Sequence, residues 1–125
     1  MLHHLLNIGS HEELANHPSR GASWEGFVIE DVLRRERVAH PASQPWFWRT
    51  AAGAEIDLIL ERGNVRIAVE IKTSRPHGRA VRTLAEAMTD AGAERGWIVD
   101  HAPGIEALAP RIARAGFEDV RSGTP

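Results

Sequence analysis

Residues 53–74 read GAEIDLILERGNVRIAVEIKTS, and no other stretch narrows the fold as far. Ile56, Leu58 and Leu60, then Val65, Ile67, Val69 and Ile71, recur at every second position on either side of Glu61-Arg62-Gly63-Asn64. Two runs of period two separated by a glycine-containing turn predict an antiparallel hairpin with these residues on its core side.

A turn centred on Arg62-Gly63 sets Ile56 opposite Val69, Asp57 opposite Ala68 and Glu55 opposite Glu70. The other side then carries Glu55, Asp57, Glu70 and Lys72 together. Asp57 and Glu70 become diagonal neighbours with Cβ atoms about 7 Å apart, near enough for both carboxylates to reach one small cation. Carboxylates at that range repel, so a positive group is expected there, and Lys72 is one candidate. The plain alternative is an amphipathic hairpin with a solvated charged side. Ile59 and Ala68 interrupt that side, however, which implies that it too is covered. Fourteen of the fifteen basic residues are arginines, and the single lysine is Lys72. A compact ammonium suits holding a water or a phosphate, whereas guanidinium is a planar fork with other uses.

Asp57, followed by Glu70-Ile71-Lys72 on a hairpin, resembles the signature of the PD-(D/E)xK nuclease superfamily, with Ile56 where proline is frequent. A wider set of runs, GASWEGFV at 21–28, FWRT at 47–50, GAEID at 53–57 and VEIK at 69–72, is similar to an uncharacterised domain. That domain follows an AAA-type ATPase module at the C-terminal end of many bacterial and archaeal proteins. The resemblance covers about residues 5–100. It implies a restriction-endonuclease-like three-layer α/β sandwich, a mixed central sheet flanked by helices. It also implies a site in which Asp57, Glu70, the carbonyl of Ile71 and, through water, Glu25 hold Mg²⁺ or Mn²⁺. In that site Lys72 would orient a water or stabilise charge on a phosphate. DNA would be the substrate and an ATPase module of the same parent protein the partner.

At 125 residues and 42 % hydrophobic content the chain suits one domain. We place that domain at residues 23–121, after a linker or helical remnant at 1–22 and before a disordered tail at 122–125. The net charge of −2 gives no global attraction to nucleic acid, which argues against a non-specific coat protein. Local basic patches remain, with Arg34, Arg35 and Arg37 in one and Arg75, Arg79 and Arg82 in another. Arg49 lies just before the acidic strand and can pair with Glu55 or a phosphate. Arg49, Arg75 and Arg79 are therefore the candidate nucleic-acid contacts. Cysteine is absent, removing disulfides, thiolate zinc sites and cysteine nucleophiles. No apolar run reaches the ~18 residues of a membrane span, and the chain reads as cytoplasmic.

Along the chain, residues 2–8 read as the last turns of a helix stopped by Gly9, and Ser10 to Glu13 have the spacing of a capping box. A longer helix runs from Ser19 or Ser23 to Arg37, with Trp24, Phe27, Val28, Val32 and Leu33 as its buried stripe. Glu25 sits near the positive end of that helix, where an acidic residue is favoured with or without a function. Residues 46–50 form an aromatic strand, for which core packing is favoured over base stacking. Val81, Leu84, Ala85 and Met88 mark a helix ending at Gly92, and Trp97-Ile98-Val99 a buried strand. Ile105, Leu108 and Ile112 suggest a helix broken at Pro110, and residues 117–120 an edge strand. There is no GxxxxGK[ST] loop, HExxH pair or GxSxG elbow, which excludes P-loop, zinc and serine-nucleophile chemistry of those kinds.

Two readings are open at this level. One is a Mg²⁺-dependent nuclease; the other is a nuclease-like fold that binds nucleic acid or a partner and cuts nothing.

Overall fold

A computed structural model describes residues 3–7, 24–50, 55–74 and 76–122, with backbone alone for residues 3–7 and 50. Its strands are β1 (His3–Asn7), β2 (Gln44–Thr50), β3 (Glu55–Arg62), β4 (Val65–Ile71), β5 (Arg95–Asp100), β6 (Ile105–Ala109) and β7 (Ile112–Gly116). Its helices are α1 (Trp24–Ala39), α2 (Gly78–Ala91) and α3 (Phe117–Arg121). Among the described residues the strands form one seven-stranded mixed sheet in the order β1-β2-β3-β4-β5-β7-β6. The pairs β4/β5 and β5/β7 are parallel and the others antiparallel.

β3 and β4 make the expected hairpin, turned by Gly63-Asn64 with Gly63 at φ 62°. A two-residue hairpin turn matches the twist of its strands when its first central residue takes positive φ, which glycine does without steric cost. The turn therefore lies one residue later than expected and the register moves by two. Leu58 faces Val69, Ile59 faces Ala68 and Leu60 faces Ile67. Two residues is one full side-chain period, so the faces are preserved, and continuing the ladder brings Asp57 directly opposite Glu70.

Each face carries its own core. α1 lays Val28, Ile29, Val32 and Leu33 on Leu58, Leu60, Val69, Ile71 and Val99, with Phe117 of α3 beside them. α2 lays Leu84, Ala87, Met88 and Ala91 on Ile59, Ala68, Ile98 and Ile112. Each large aliphatic side chain so buried contributes about 1.5–3 kcal/mol. Ile59 and Ala68 are fully buried under α2, so the charged side of the hairpin is covered as expected. The aromatic strand is packed too, Trp48 in the α2 core and Phe47 against the α1 core.

Ile56 departs from the alternation. It belongs with Trp48 and Ile59 in the α2 core, whereas Leu58 lies in the α1 core. The cause is a β-bulge. Trp46 pairs with Ile59 and Trp48 with Ile56, so β3 carries one more residue than β2 across that interval. A bulge re-aims the side chains it contains, and this one contains Asp57 and Leu58.

Four further expectations are corrected. Residues 3–7 are strand β1 on the free edge of β2, not a helix end, because extended backbone there completes a ladder along residues 46–50. Residues 105–116 are a hairpin, not a broken helix: Pro110-Arg111 forms its turn, and β7 gains a parallel ladder on β5 that a helix would forgo. Residues 117–121 are a short helix rather than an edge strand, starting straight after Gly116 with Glu118 and Asp119 in its first turn, where acids are favoured. Phe27 is 54 % exposed, touching Phe117 edge-on at 5.6 Å, because the centre of the α1 stripe runs through Val28, Ile29, Val32 and Leu33 instead. α3 is too short to cover the whole α1 side, and a cleft of about 590 Å³ stays open between the last turns of α1 and Ile67, Val69 and Trp97. The proposed capping box and Arg75 lie outside the described residues, as do residues 123–125 of the expected tail.

Candidate active site

The ladder between β3 and β4 ends in side chains. Beyond the Leu58/Val69 pair, the Asp57 N–H donates to Glu70 Oε1 at 3.2 Å, and the Ile71 N–H donates to Asp57 Oδ2 at 2.8 Å. Two backbone donors thus steer two carboxylates toward each other. The bulge in β3 and the shifted register together produce this contact, closer than the diagonal relation the alternation suggested.

Around the pair opens a cavity of about 390 Å³, lined by Glu25, Glu55, Asp57, Glu70 and residues 71–74. α1 delivers Glu25 from its first turn, β3 delivers Glu55 and Asp57, and the end of β4 delivers Glu70 and Lys72. The Lys72 N–H donates to Val99 O at 2.9 Å, which ties the chain after Ile71 to β5. Lys72 Nζ lies 3.8 Å from Glu70 Oε2.

Burial pushes the Glu70 carboxyl up to about 9, helped by the charge of Asp57 and by a hydrogen bond shared with it. Lys72 pulls the value back only in part. The pair therefore wants more positive charge than the chain supplies. Among the described residues no three His, Asp or Glu side chains are gathered closely enough to form a ready cation cage. Two carboxyl groups drawn together by backbone N–H donors in an acid-lined cavity nevertheless suit Mg²⁺, which binds through one or two carboxylates and keeps several waters.

The other candidates fall at differing places. Arg49 Nε stands 3.9 Å from Glu55 Oε1, both side chains about half exposed, so Glu55 pairs with arginine and lines the cavity as well. Arg79 is exposed on the first turn of α2. His77 caps α2, its Nδ1 accepting from the Ala80 N–H at 3.4 Å. Thr73 and Ser74, unremarked in the sequence, follow Lys72 into the cavity wall. His101, by sequence a plain surface histidine outside any motif, is exposed. Its ring stacks on Trp24 at the end of β5, and its position just beyond a buried strand parallel to β4 was the available signal.

Residues 20–108 match the family described as Domain of unknown function (DUF4143). The chain belongs to that family. The match takes in every candidate site residue of this DUF4143 domain. Two curated relatives, uncharacterized protein Rv2008c of Mycobacterium tuberculosis and uncharacterized protein Mb2031c of Mycobacterium bovis, are each 39 % identical over 92 residues. Those alignments cover 72 % of this chain and 19 % of the relatives, so the chain spans about a fifth of their length. No solved structure matches it. Among the described residues of the DUF4143 domain no helix is long and apolar enough to cross a membrane.

Proposed function

We propose that this domain is a Mg²⁺-dependent nuclease of restriction-endonuclease-like fold, hydrolysing DNA phosphodiester bonds as part of a larger protein with an ATPase module. The observation that carries the reading is the contact between Asp57 and Glu70, aimed by a bulge and two backbone N–H groups, with Lys72 3.8 Å from Glu70. Asp57, Glu70 and the carbonyl of Ile71 would hold the cation, with Glu25 as an outer ligand. When bound, a divalent cation neutralises charge on a phosphodiester and makes water more acidic.

The chain's own groups do the rest. Asp57 and Glu70 would present carboxylate oxygens to the cation from positions fixed by the two backbone N–H groups. Lys72 has three donors on a partly exposed stem, one side engaged by Glu70, and the remainder turn a water or a phosphate oxygen toward the pair. Arg49, beside Glu55 at the cavity rim, is placed to meet a neighbouring phosphate.

A second reading, a silent nuclease-like binding module, draws on two observations: the lack of a preformed three-carboxylate cage among the described residues, and the net charge of −2. Plasmid and oligonucleotide cleavage with Mg²⁺ or Mn²⁺ separates the two. Asp57→Ala and Lys72→Ala should each lower the rate at least about 100-fold. Cleavage that survives both substitutions rejects the nuclease reading, and binding without cleavage at every metal concentration supports the module.

A further inference from the structure

An aromatic pair stands near the acidic cavity without lining it. The rings of Trp24 and His101 stack with centroids 3.7 Å apart and planes 26° from parallel. Trp24 is half-buried against the α1 core and meets Phe117 edge-on at 6.1 Å, while His101 is exposed. Trp24 immediately precedes Glu25, a wall of the cavity. His101 leaves β5 at the end of the sheet where β4 delivers Lys72, since the two strands run parallel with Ile71 beside Val99. One face of the imidazole therefore rests on indole and the residue is open to solvent at the same end of the sheet as Lys72.

The loop behind this ring is firmly held. Arg114 donates to both oxygens of Asp100, Nε at 3.0 Å and Nη2 at 2.6 Å, and also to the carbonyl of Ala102. The Ala102 N–H donates to Asp100 Oδ1 at 3.0 Å and the Gly104 N–H to Asp119 Oδ2 at 2.7 Å. Gly116 passes so close that an added Cβ would lie 2.3 Å from Ala102 O. A buried ion pair and a bare glycine thus hold the four residues between β5 and β6 in place. A ring presented from so fixed a loop loses little freedom when something settles on it.

Resting on the nuclease reading and deepening it, we infer that the indole-backed imidazole of His101 is a platform for one unpaired base of the substrate. The domain then acts on single-stranded or locally opened nucleic acid. Bases within a duplex are stacked on one another and offer only their edges, so an exposed ring face recognises a base only where the strand is open. Stacking also suits a chain with no general excess of positive charge, because it does not depend on phosphate attraction.

The test uses the full chain with a short single strand carrying one 2-aminopurine, and the same strand in duplex, in EDTA and again with Ca²⁺. Fluorescence reports stacking and anisotropy reports affinity. His101→Ala should weaken single-strand binding about 5- to 10-fold and abolish the quenching. His101→Phe, which keeps a ring, should stay within about 2-fold of wild type, and neither change should alter duplex binding by more than about 2-fold. Trp24 is left intact because it packs against the core. A wild-type chain that quenches neither probe, a His101→Ala chain that quenches like wild type, or equal losses on duplex overturns the platform. Quenching that depends on residue 101 without any Mg²⁺ cleavage supports the platform and rejects the nuclease. Cleavage that requires Asp57 but is indifferent to His101, with binding unchanged, rejects the platform alone.

Discussion

Two groups of buried or partly buried carboxylates share this small domain and are treated in opposite ways. Asp31, Glu36 and Asp100 each have arginine. Arg35 Nε donates to Asp31 at 2.9 Å, with Arg34 on its other oxygen, Arg62 grips Glu36 through two bonds of 2.7 and 2.6 Å, and Arg114 grips Asp100. Burial raises the Glu36 carboxyl, but lowering influences led by the hydrogen bonds of Arg62, with the charge of His40 among them, hold the group below its ordinary value. Glu70 instead accepts from the Asp57 N–H at 3.2 Å, faces the charge of Asp57 and has one lysine at 3.8 Å, and burial together with that charge pushes it up to about 9. The fold therefore neutralises its acids where they serve structure. It leaves a deficit of positive charge at Asp57 and Glu70, and such a deficit is a mark of a functional site.

The contrast predicts substitutions of opposite sign. The largest effect belongs to Asp100→Ala, which strands Arg114, only 2 % exposed, without its partner. Urea unfolding should show a loss of about 3–5 kcal/mol; a loss below about 1 kcal/mol would mean that the pair is not a structural clamp.

Next is Glu70→Gln, which should stabilise. Because Glu70 titrates near 9 in the folded chain and near 4.5 unfolded, the native state keeps a proton that the unfolded state has released between those values. Stability from this group is complete below about pH 4.5 and is lost as the pH rises through 9. Metal-free wild type should therefore lose stability from pH 5 to 9, while Glu70→Gln should not. The gap should be on the order of a few kcal/mol at pH 9 and absent at pH 4. A variant that melts below wild type at pH 9 in EDTA would contradict the unmatched pair.

Saturating Mg²⁺ should supply the missing charge. At about 100 times its dissociation constant it should add about 2.7 kcal/mol to wild type at pH 8 and nothing to Asp57→Asn, measured by thermal shift. Equal shifts in both chains would place the cation elsewhere. The smallest effect is expected of Arg49→Ala, whose half-exposed partner Glu55 is 3.9 Å away. Its stability should change by less than about 0.5 kcal/mol, so any larger fall in cleavage would mark Arg49 as a substrate contact.

Much of the site was legible before any coordinates, for a local reason. Asp57, Glu70 and Lys72 lie on or next to two strands joined by a two-residue turn, and a register that moves by two residues keeps the same face across that turn. The helix of Glu25 and the end of α2 at Gly92 were likewise readable from spacing and caps. The apolar spacing of three and four at 105–112 misled because three residues are too few to fix a period across a turn, and only β5 lying alongside β7 decides that the segment extends.

The chain's own order of residues determined that two charged, alternating strands would pair, that both of their sides would be covered, and that a lone lysine would stand beside two acids, since these depend only on neighbours in sequence. The tertiary structure alone decided that Asp57 meets Glu70 head-on, through a bulge set against β2. It also decided that Glu36 finds Arg62 and Asp100 finds Arg114 across long separations, and that His101 comes to rest on Trp24. Contacts between distant segments depend on where whole elements pack, and packing follows from the shape of the assembled core rather than from any local pattern.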